Sequence, residues 1–124
     1  RACRELARDL VNVNVTLIFS PAQAILAAKA GAKYVSPFVG RVDDNSFDGI
    51  DLVDQISDIY SIQNIRKTEI LAASVRDVKT VSDSFGAGAH VVTMPPSIFE
   101  KMYNHVLTDR GLYQFDMDWA KVKR

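Results

Sequence analysis

The sequence has little cysteine, no excess of charge and no long apolar run, and each absence excludes a class of protein. Its one cysteine, Cys3, excludes an internal disulfide framework and predicts a cytoplasmic protein, since the cytosol keeps thiols reduced. Fifteen basic and fifteen acidic residues cancel, so the charge does not predict nucleic acid as a partner. No apolar stretch reaches the roughly 18 residues that cross a membrane, so we expect no membrane partner.

What is present is an alternation of strand-like and helix-like segments. Four β-branched, apolar runs predict strands, at Val11–Phe19, Tyr34–Val39, Ile70–Val75 and His90–Met94. In the first of these, Val13, Val15 and Leu17 share the face opposite Asn14 and Thr16. Pro37 lacks a ladder donor, so we expect an irregularity in the second strand.

Helix signals follow each predicted strand. Ser20 and Pro21 are an N-cap and a first-turn proline, and Asp77 is the next N-cap signal. Ser97 with Glu100 matches a capping box. Apolar residues at helical spacing predict the other helix, at Ile50, Val53, Ile56 and Ile59 or Tyr60. The segment 40–49 reads as a polar loop, the first ten residues as a helix, and the segment after Gly111 as a final helix.

Regular strand–helix alternation predicts an α/β fold with a parallel sheet and right-handed crossovers. Two architectures share this pattern, an open doubly wound sheet and a (β/α)8 TIM barrel. A complete barrel needs about 250 residues, so 124 residues with four strands would make half of one. The chain starts inside a helical sequence without a methionine, and we therefore expect a piece of a larger protein.

Polar residues occupy one face of the predicted strands, where a sheet covered on both sides should be apolar. They lie on the strands or just beyond their ends: Asn14, Thr16, Ser36, Ser74, Arg41 and Arg76. Any one of them could bond to nearby backbone, but together they indicate a ligand site at the carboxyl edge of the sheet. Two arginines beside a serine suit a phosphate or carboxylate. For Arg41 alone, an ion pair with Asp43 or Asp44 is the alternative.

Three segments resemble the transaldolase family, in particular its small members and the fructose-6-phosphate aldolases. They are "VNVTLIFSPAQAIL" (Val13–Leu26), "YVSPFVGR" (Tyr34–Arg41) and "LAASVR" (Leu71–Arg76), in the family's order and spacing. The resemblance covers nearly the whole chain. It implies that residues 1–124 are the C-terminal half of a single (β/α)8 barrel domain, with strands five to eight.

The resemblance also implies roles for the polar residues. Asn14 and Ser36 would contact the sugar, Thr16 would help to hold a catalytic water, and Arg41, Ser74 and Arg76 would bind its phosphate. Phe38 resembles the transaldolases, since the aldolases have tyrosine there. The implied substrates are sugar phosphates of the pentose phosphate pathway, namely fructose 6-phosphate with erythrose 4-phosphate or glyceraldehyde 3-phosphate. The family needs no metal and no organic cofactor, and the complete protein is expected to be a homo-oligomer.

The family's nucleophile is a lysine that forms a Schiff base with the ketose. In the family it lies on the fourth barrel strand, which would precede Arg1. Lys33 and Lys67 come before their strands, and five other lysines fall on helices or the tail: Lys29, Lys79, Lys101, Lys121 and Lys123. We therefore expect this chain to lack the nucleophile and to be inactive alone. A fructose-6-phosphate aldolase and a non-catalytic phosphate-binding half barrel are the alternatives to a transaldolase.

Overall fold

A computed structural model describes residues 1–122; Lys123 and Arg124, predicted to end the final helix, lie outside the described residues. The strands within the described range are β1 (Asn14–Ile18), β2 (Tyr34–Pro37), β3 (Glu69–Ala72) and β4 (Val91–Val92). The helices are α1 (Ala2–Arg8), α2 (Pro21–Lys29), α3 (Val39–Asp44), α4 (Gly49–Ile62), α5 (Val78–Gly86), α6 (Pro96–Lys101) and α7 (Val106–Val122). None of the helices within residues 1–122 is both long and apolar enough to cross a membrane.

The four strands form one parallel sheet in the order β1-β2-β3-β4. Each strand therefore lies beside its neighbour in sequence, whereas a doubly wound sheet reverses its strand order at a switch point. The parallel α/β fold predicted from the sequence is confirmed. The sequential order is the one that half of a (β/α)8 barrel would have.

The main core lies between the sheet and helices α2 and α4. Val35 of β2 and Ile70 of β3 pack there with Val53 and Ile56 of α4, all of them fully or almost fully buried. Tyr60 also lies in this core, and its hydroxyl donates to the carbonyl of Ala24 at 2.6 Å. Burial raises the pKa of Tyr60 to about 12, so the phenol keeps the proton that it donates.

Local signals place two helix starts correctly. Ser20 caps α2 by accepting a hydrogen bond from the Gln23 amide, with Pro21 in the first turn. Asp77 caps α5 by accepting from the amide and the hydroxyl of Thr80. The capping box predicted at Ser97 is wrong, because α6 already begins at Pro96.

The polar loop predicted for residues 40–49 is wrong in its first half, because residues Val39–Asp44 form helix α3, and only residues 45–48 are a loop. The amides of Val39 and Gly40 donate to the carbonyls of Ala73 and Ser74, at 3.0 and 3.1 Å. Val42 is buried in the main core. Contacts with the chain beyond β3 thus stabilise a turn of helix that its own residues do not signal.

The pairing of β1 with β2 is irregular where it reaches Pro37, but the extra residue lies in β1 and not in the second strand as predicted. Val15 pairs with Val35 and Ile18 pairs with Pro37, so three steps along β1 match two along β2. Leu17 has a φ of 55°, the left-handed conformation of a bulged residue. Strict alternation had placed Leu17 on the apolar face, but Leu17 is half exposed and Ile18 is buried.

Helix α7 runs from Val106 through Gly111 to Val122, so it begins earlier than predicted. At its start the Nδ1 atom of His105 accepts a hydrogen bond from the Leu107 amide at 3.1 Å. None of the residues of α7 is buried.

Candidate functional site

Two of the predicted site residues, Asn14 and Ser36, meet on the sheet face opposite the main core. The Ser36 hydroxyl donates to Asn14 Oδ1 at 2.8 Å, from β2 to β1. Ser36 is buried, and Asn14 is exposed. Asn14 is the first residue of β1, so this pair lies nearer the start of the strands than predicted. Thr16 is exposed two residues further along β1.

A second group lies at the carboxyl ends of β2 and β3, as predicted. Its centre is Gly40, whose amide bonds to the carbonyl of Ser74. A methyl group placed on Gly40 would lie 2.1 Å from that carbonyl oxygen, 3.0 Å from Ser74 Oγ and 3.1 Å from Arg76 Nε. The serine hydroxyl and the arginine thus converge above a backbone that has no side chain of its own. Ser74 itself has a φ of 60°, in the left-handed region.

Arg76 is held from the other side by Asp44 at the end of α3. Arg76 Nη1 lies 2.5 Å from Asp44 Oδ1, and each side chain is about half exposed. The hydrogen bond from Arg76 lowers the pKa of Asp44, and the charge of Arg41 lowers that pKa further. Both predicted phosphate-binding arginines therefore act on the same carboxylate, which places them in one electrostatic neighbourhood.

Arg41 makes no ion pair of its own within residues 1–122, and the predicted alternative of a pair with Asp43 or Asp44 is wrong. Its guanidinium carbon lies 5.2 Å from the ring centre of Phe38, as in a cation–π contact. The Phe38 ring meets Phe19 edge to face at 5.9 Å. This stack restricts Arg41 while its donors stay exposed to a ligand.

A cavity of about 540 Å³ opens beside Arg41, between the start of α2 and helices α3 and α4. Its lining includes Phe19, Phe47 and Leu52. Asn14, Ser36, Ser74 and Arg76 do not line it. The cavity therefore lies next to the polar groups rather than over them.

Three residues of the site were missed from the sequence: Gly40, Asp44 and Phe19. Gly40 leaves room for the two side chains above it, and a glycine at the end of a strand was a usable signal. Asp44 pairs with a residue 32 positions away, which no local pattern indicates. Phe19 read as the end of a strand, and only its contact with Phe38 connects it to Arg41.

Two lysines, one beside the sheet and one on α5, do not resemble an activated amine. Lys33 lies 3.0 Å from Glu69, at the amino ends of β2 and β3. The hydrogen bond to Glu69 raises the pKa of Lys33, and the bond to Asp83 likewise raises that of Lys79. A Schiff-base lysine needs the opposite shift, because only the neutral amine attacks a carbonyl.

The sequence profile described as transaldolase/fructose-6-phosphate aldolase matches residues 1–124. A Paracoccus denitrificans protein named "Probable transaldolase" is 55% identical over 122 residues, which are 98% of this chain and 56% of that protein. A Nitrosopumilus maritimus protein of the same name is 53% identical over 123 residues, which are 99% of this chain and 55% of that protein. The chain thus spans about half the length of these curated relatives.

Solved structures of other proteins share the fold at low identity. A flavocytochrome b2 variant with pyruvate bound aligns with a TM-score of 0.63 and 22% identity, over 75% of this chain and 25% of that chain. A lactate oxidase of Pediococcus acidilactici aligns with a TM-score of 0.58 and 24% identity, over 74% and 26%. At this level of identity the likeness concerns the fold alone.

Proposed function

The chain belongs to the transaldolase/fructose-6-phosphate aldolase family, and we propose that it supplies the sugar-phosphate half of a transaldolase active site. The whole protein would transfer a dihydroxyacetone unit between sugar phosphates of the pentose phosphate pathway. Residues 1–124 would contribute strands five to eight of a (β/α)8 barrel. One observation carries the proposal: Ser74 Oγ and Arg76 Nε converge over Gly40 at the carboxyl ends of β2 and β3. Arg41 supports it, because its charge also lowers the pKa of Asp44, the partner of Arg76.

The residues present suit the binding of a phosphorylated ketose. Two guanidinium groups and a hydroxyl can surround a phosphate dianion with charge-assisted hydrogen bonds. Asn14 and Ser36 form a polar pair on the inner face, where they can exchange their mutual bond for bonds to sugar hydroxyls. Thr16 would position a water molecule for proton transfer.

The nucleophile belongs to the part of the whole protein outside this chain. A lysine amine there would add to the ketose carbonyl and release water, forming a Schiff base. The bond between C3 and C4 would then break, and an aldehyde would leave. The remaining carbanion would attack an acceptor aldehyde, and hydrolysis would free the product and the lysine. The raised pKa values of Lys33 and Lys79 argue against either of these two lysines as that amine.

A fructose-6-phosphate aldolase is the second candidate within the family. Phe38 favours transfer, because tyrosine at this position resembles the aldolases. Its ring already lies against Phe19 and Arg41. Phe38→Tyr in the whole protein should therefore raise cleavage of fructose 6-phosphate relative to transfer onto erythrose 4-phosphate, measured as the ratio of the two rates. An unchanged ratio would remove this reason for preferring transfer.

Arg41→Ala tests the phosphate role in the whole protein. We expect the KM for fructose 6-phosphate to rise about 10- to 100-fold, because the substitution removes one charge-assisted hydrogen bond to the phosphate. Activity with dihydroxyacetone and an unphosphorylated acceptor aldehyde should stay within about twofold. Arg66→Ala is the matched control, since Arg66 is exposed and its Nε donates to the side chain of nearby Asn64. An equal loss with both donors would refute the phosphate role.

Borohydride trapping tests where the nucleophile lies. The 124-residue chain incubated with fructose 6-phosphate and borohydride should gain no covalent adduct by mass spectrometry, whereas the whole protein should gain one. A stoichiometric adduct on the chain would show that one of its own lysines is the nucleophile. A non-catalytic half barrel would be indicated if neither protein formed an adduct while the chain still bound phosphate.

A further inference from the structure

The ion pair between Asp44 and Arg76 joins two segments that follow adjacent strands. Asp44 ends α3, after β2, and Arg76 lies between β3 and α5. The contact uses a single nitrogen of the guanidinium, Nη1, and a single carboxylate oxygen, Oδ1. The rest of the guanidinium is left for another partner.

The free edge of Arg76 faces the polar group over Gly40. The Nε–H and one N–H of Nη2 point in the same direction and form a fork that does not include Nη1, so the bond to Asp44 leaves this fork without a hydrogen-bond partner within residues 1–122. Nε lies 3.1 Å from the position of a methyl group on Gly40, and Ser74 Oγ lies 3.0 Å from the same position. A fork of this kind matches two oxygens of one phosphate.

A contribution to folding stability explains this pair poorly. Both side chains are about half exposed, and exposed ion pairs contribute about 0–1 kcal/mol. The carboxylate also carries the wrong charge for a phosphate site. A residue that repels the ligand yet contacts one of its binding groups is better explained by the geometry that it imposes.

We propose that Asp44 is a positioning residue that anchors Arg76 through Nη1 and so presents its Nε–Nη2 fork, beside Ser74 and over Gly40, to the phosphate of the substrate. The inference rests on the proposed function, since it assumes that Arg76 binds phosphate. An arginine side chain has about 2 kcal/mol of rotamer entropy, and an anchored guanidinium loses less of it when the ligand arrives.

Two substitutions at Asp44 separate geometry from charge. In the whole protein, Asp44→Ala removes both the anchor and the negative charge, and we expect the KM for fructose 6-phosphate to rise at least fivefold with kcat within twofold. Asp44→Asn keeps an oxygen that accepts from Nη1, and its KM should stay within about twofold of the parent value. If the carboxylate instead competes with phosphate, both variants will lower the KM, and the proposal is wrong.

Controls distinguish this proposal from the function on which it rests. Arg76→Ala should raise the KM at least as much as Asp44→Ala, and adding Asp44→Ala to it should cause no further rise. If Arg76→Ala leaves the KM unchanged, the phosphate role itself fails. If Arg76→Ala raises the KM but Asp44→Ala does not, only the positioning role fails. Asp54→Ala, which removes an exposed carboxylate from α4, is the matched control and should change nothing.

Discussion

Helices α4 and α7 are both long and both amphipathic in sequence, yet only α4 has a buried face. Helix α4 has 14 residues and buries five of them, Gly49, Leu52, Val53, Ile56 and Tyr60. Helix α7 has 17 residues and buries none, although Leu112, Phe115 and Trp119 are spaced for one helical face. An amphipathic pattern therefore shows which face of a helix is apolar, but not whether the same chain covers that face.

Core truncations should show the largest contrast between these helices. Ile56→Ala removes an almost fully buried side chain from α4, and we expect it to lower the free energy of unfolding by about 2–5 kcal/mol. Phe115→Ala in α7 removes a ring that is 70% exposed and should change that free energy by less than about 0.5 kcal/mol. Urea denaturation of the chain measures both. Equal losses would show that α7 packs in solution.

The glycines of the two helices should respond in opposite directions to a methyl group. At Gly49 in α4 an added Cβ would lie 2.4 Å from the carbonyl oxygen of Val39, and we expect a loss of about 1–3 kcal/mol. At Gly111 in α7 an added Cβ would meet no atom of residues 1–122 within 4 Å outside the backbone of its own helix, and Gly111→Ala should stabilise the helix by up to about 1 kcal/mol. Denaturation and the helical circular dichroism signal report the two effects. A loss of stability in Gly111→Ala would contradict the prediction that this position in α7 has room for a side chain.

Removing a helix cap should give the smallest difference between a packed helix and α7, about 1 kcal/mol in the free energy of unfolding. Asp77→Ala removes the acceptor for the Thr80 amide from α5, which packs on α4, and should cost about 1 kcal/mol of stability. His105→Ala at the start of α7 should lower only the helical signal. If His105→Ala lowered global stability as much, α7 would be part of the cooperative unit.

The cap at Asp77 also predicts a dependence on pH. The hydrogen bonds from Thr80 lower the pKa of Asp77 in the folded chain. The stabilisation that the Asp77 carboxylate provides is therefore complete above the ordinary aspartate pKa of about 3.9. It is lost as the pH falls through the lower pKa that Asp77 has in the folded chain. Asp77→Asn keeps an acceptor that does not titrate, so urea denaturation between pH 7 and pH 3 should show a smaller loss for this variant. If the parent protein and Asp77→Asn lose the same stability between pH 7 and pH 3, protonation of Asp77 does not contribute to the acid destabilisation.

Features encoded in a few neighbouring residues could be predicted from the sequence. Ser20 and Pro21 predicted the start of α2, and Asp77 predicted that of α5. The polar alternation within each strand placed Asn14 and Ser36 on the same face of the sheet, and a hydrogen bond joins them. In each case the signal and the structure lie within one strand pair or one helix turn.

Features that depend on distant parts of the chain could not be predicted. Helix α3 begins because Val39 and Gly40 donate to carbonyls more than thirty residues away, so its own sequence reads as a loop. The partner of Asp44 was missed for the same reason, since Arg76 reaches it only once β2 and β3 lie side by side. The roles proposed for Arg41 and Arg76 stay predictions until a phosphate is measured there.

The bulge at Leu17 gives β1 one residue more than β2 over the same span. Deleting one residue at the bulge would restore two-for-two pairing and leave Asn14 and Ile18 on their present faces. A deletion at Val15, within the regular pairing, would instead turn part of the strand over. The bulge is therefore where this strand can change its length during evolution without moving Asn14 or Ile18 to the other face of the sheet.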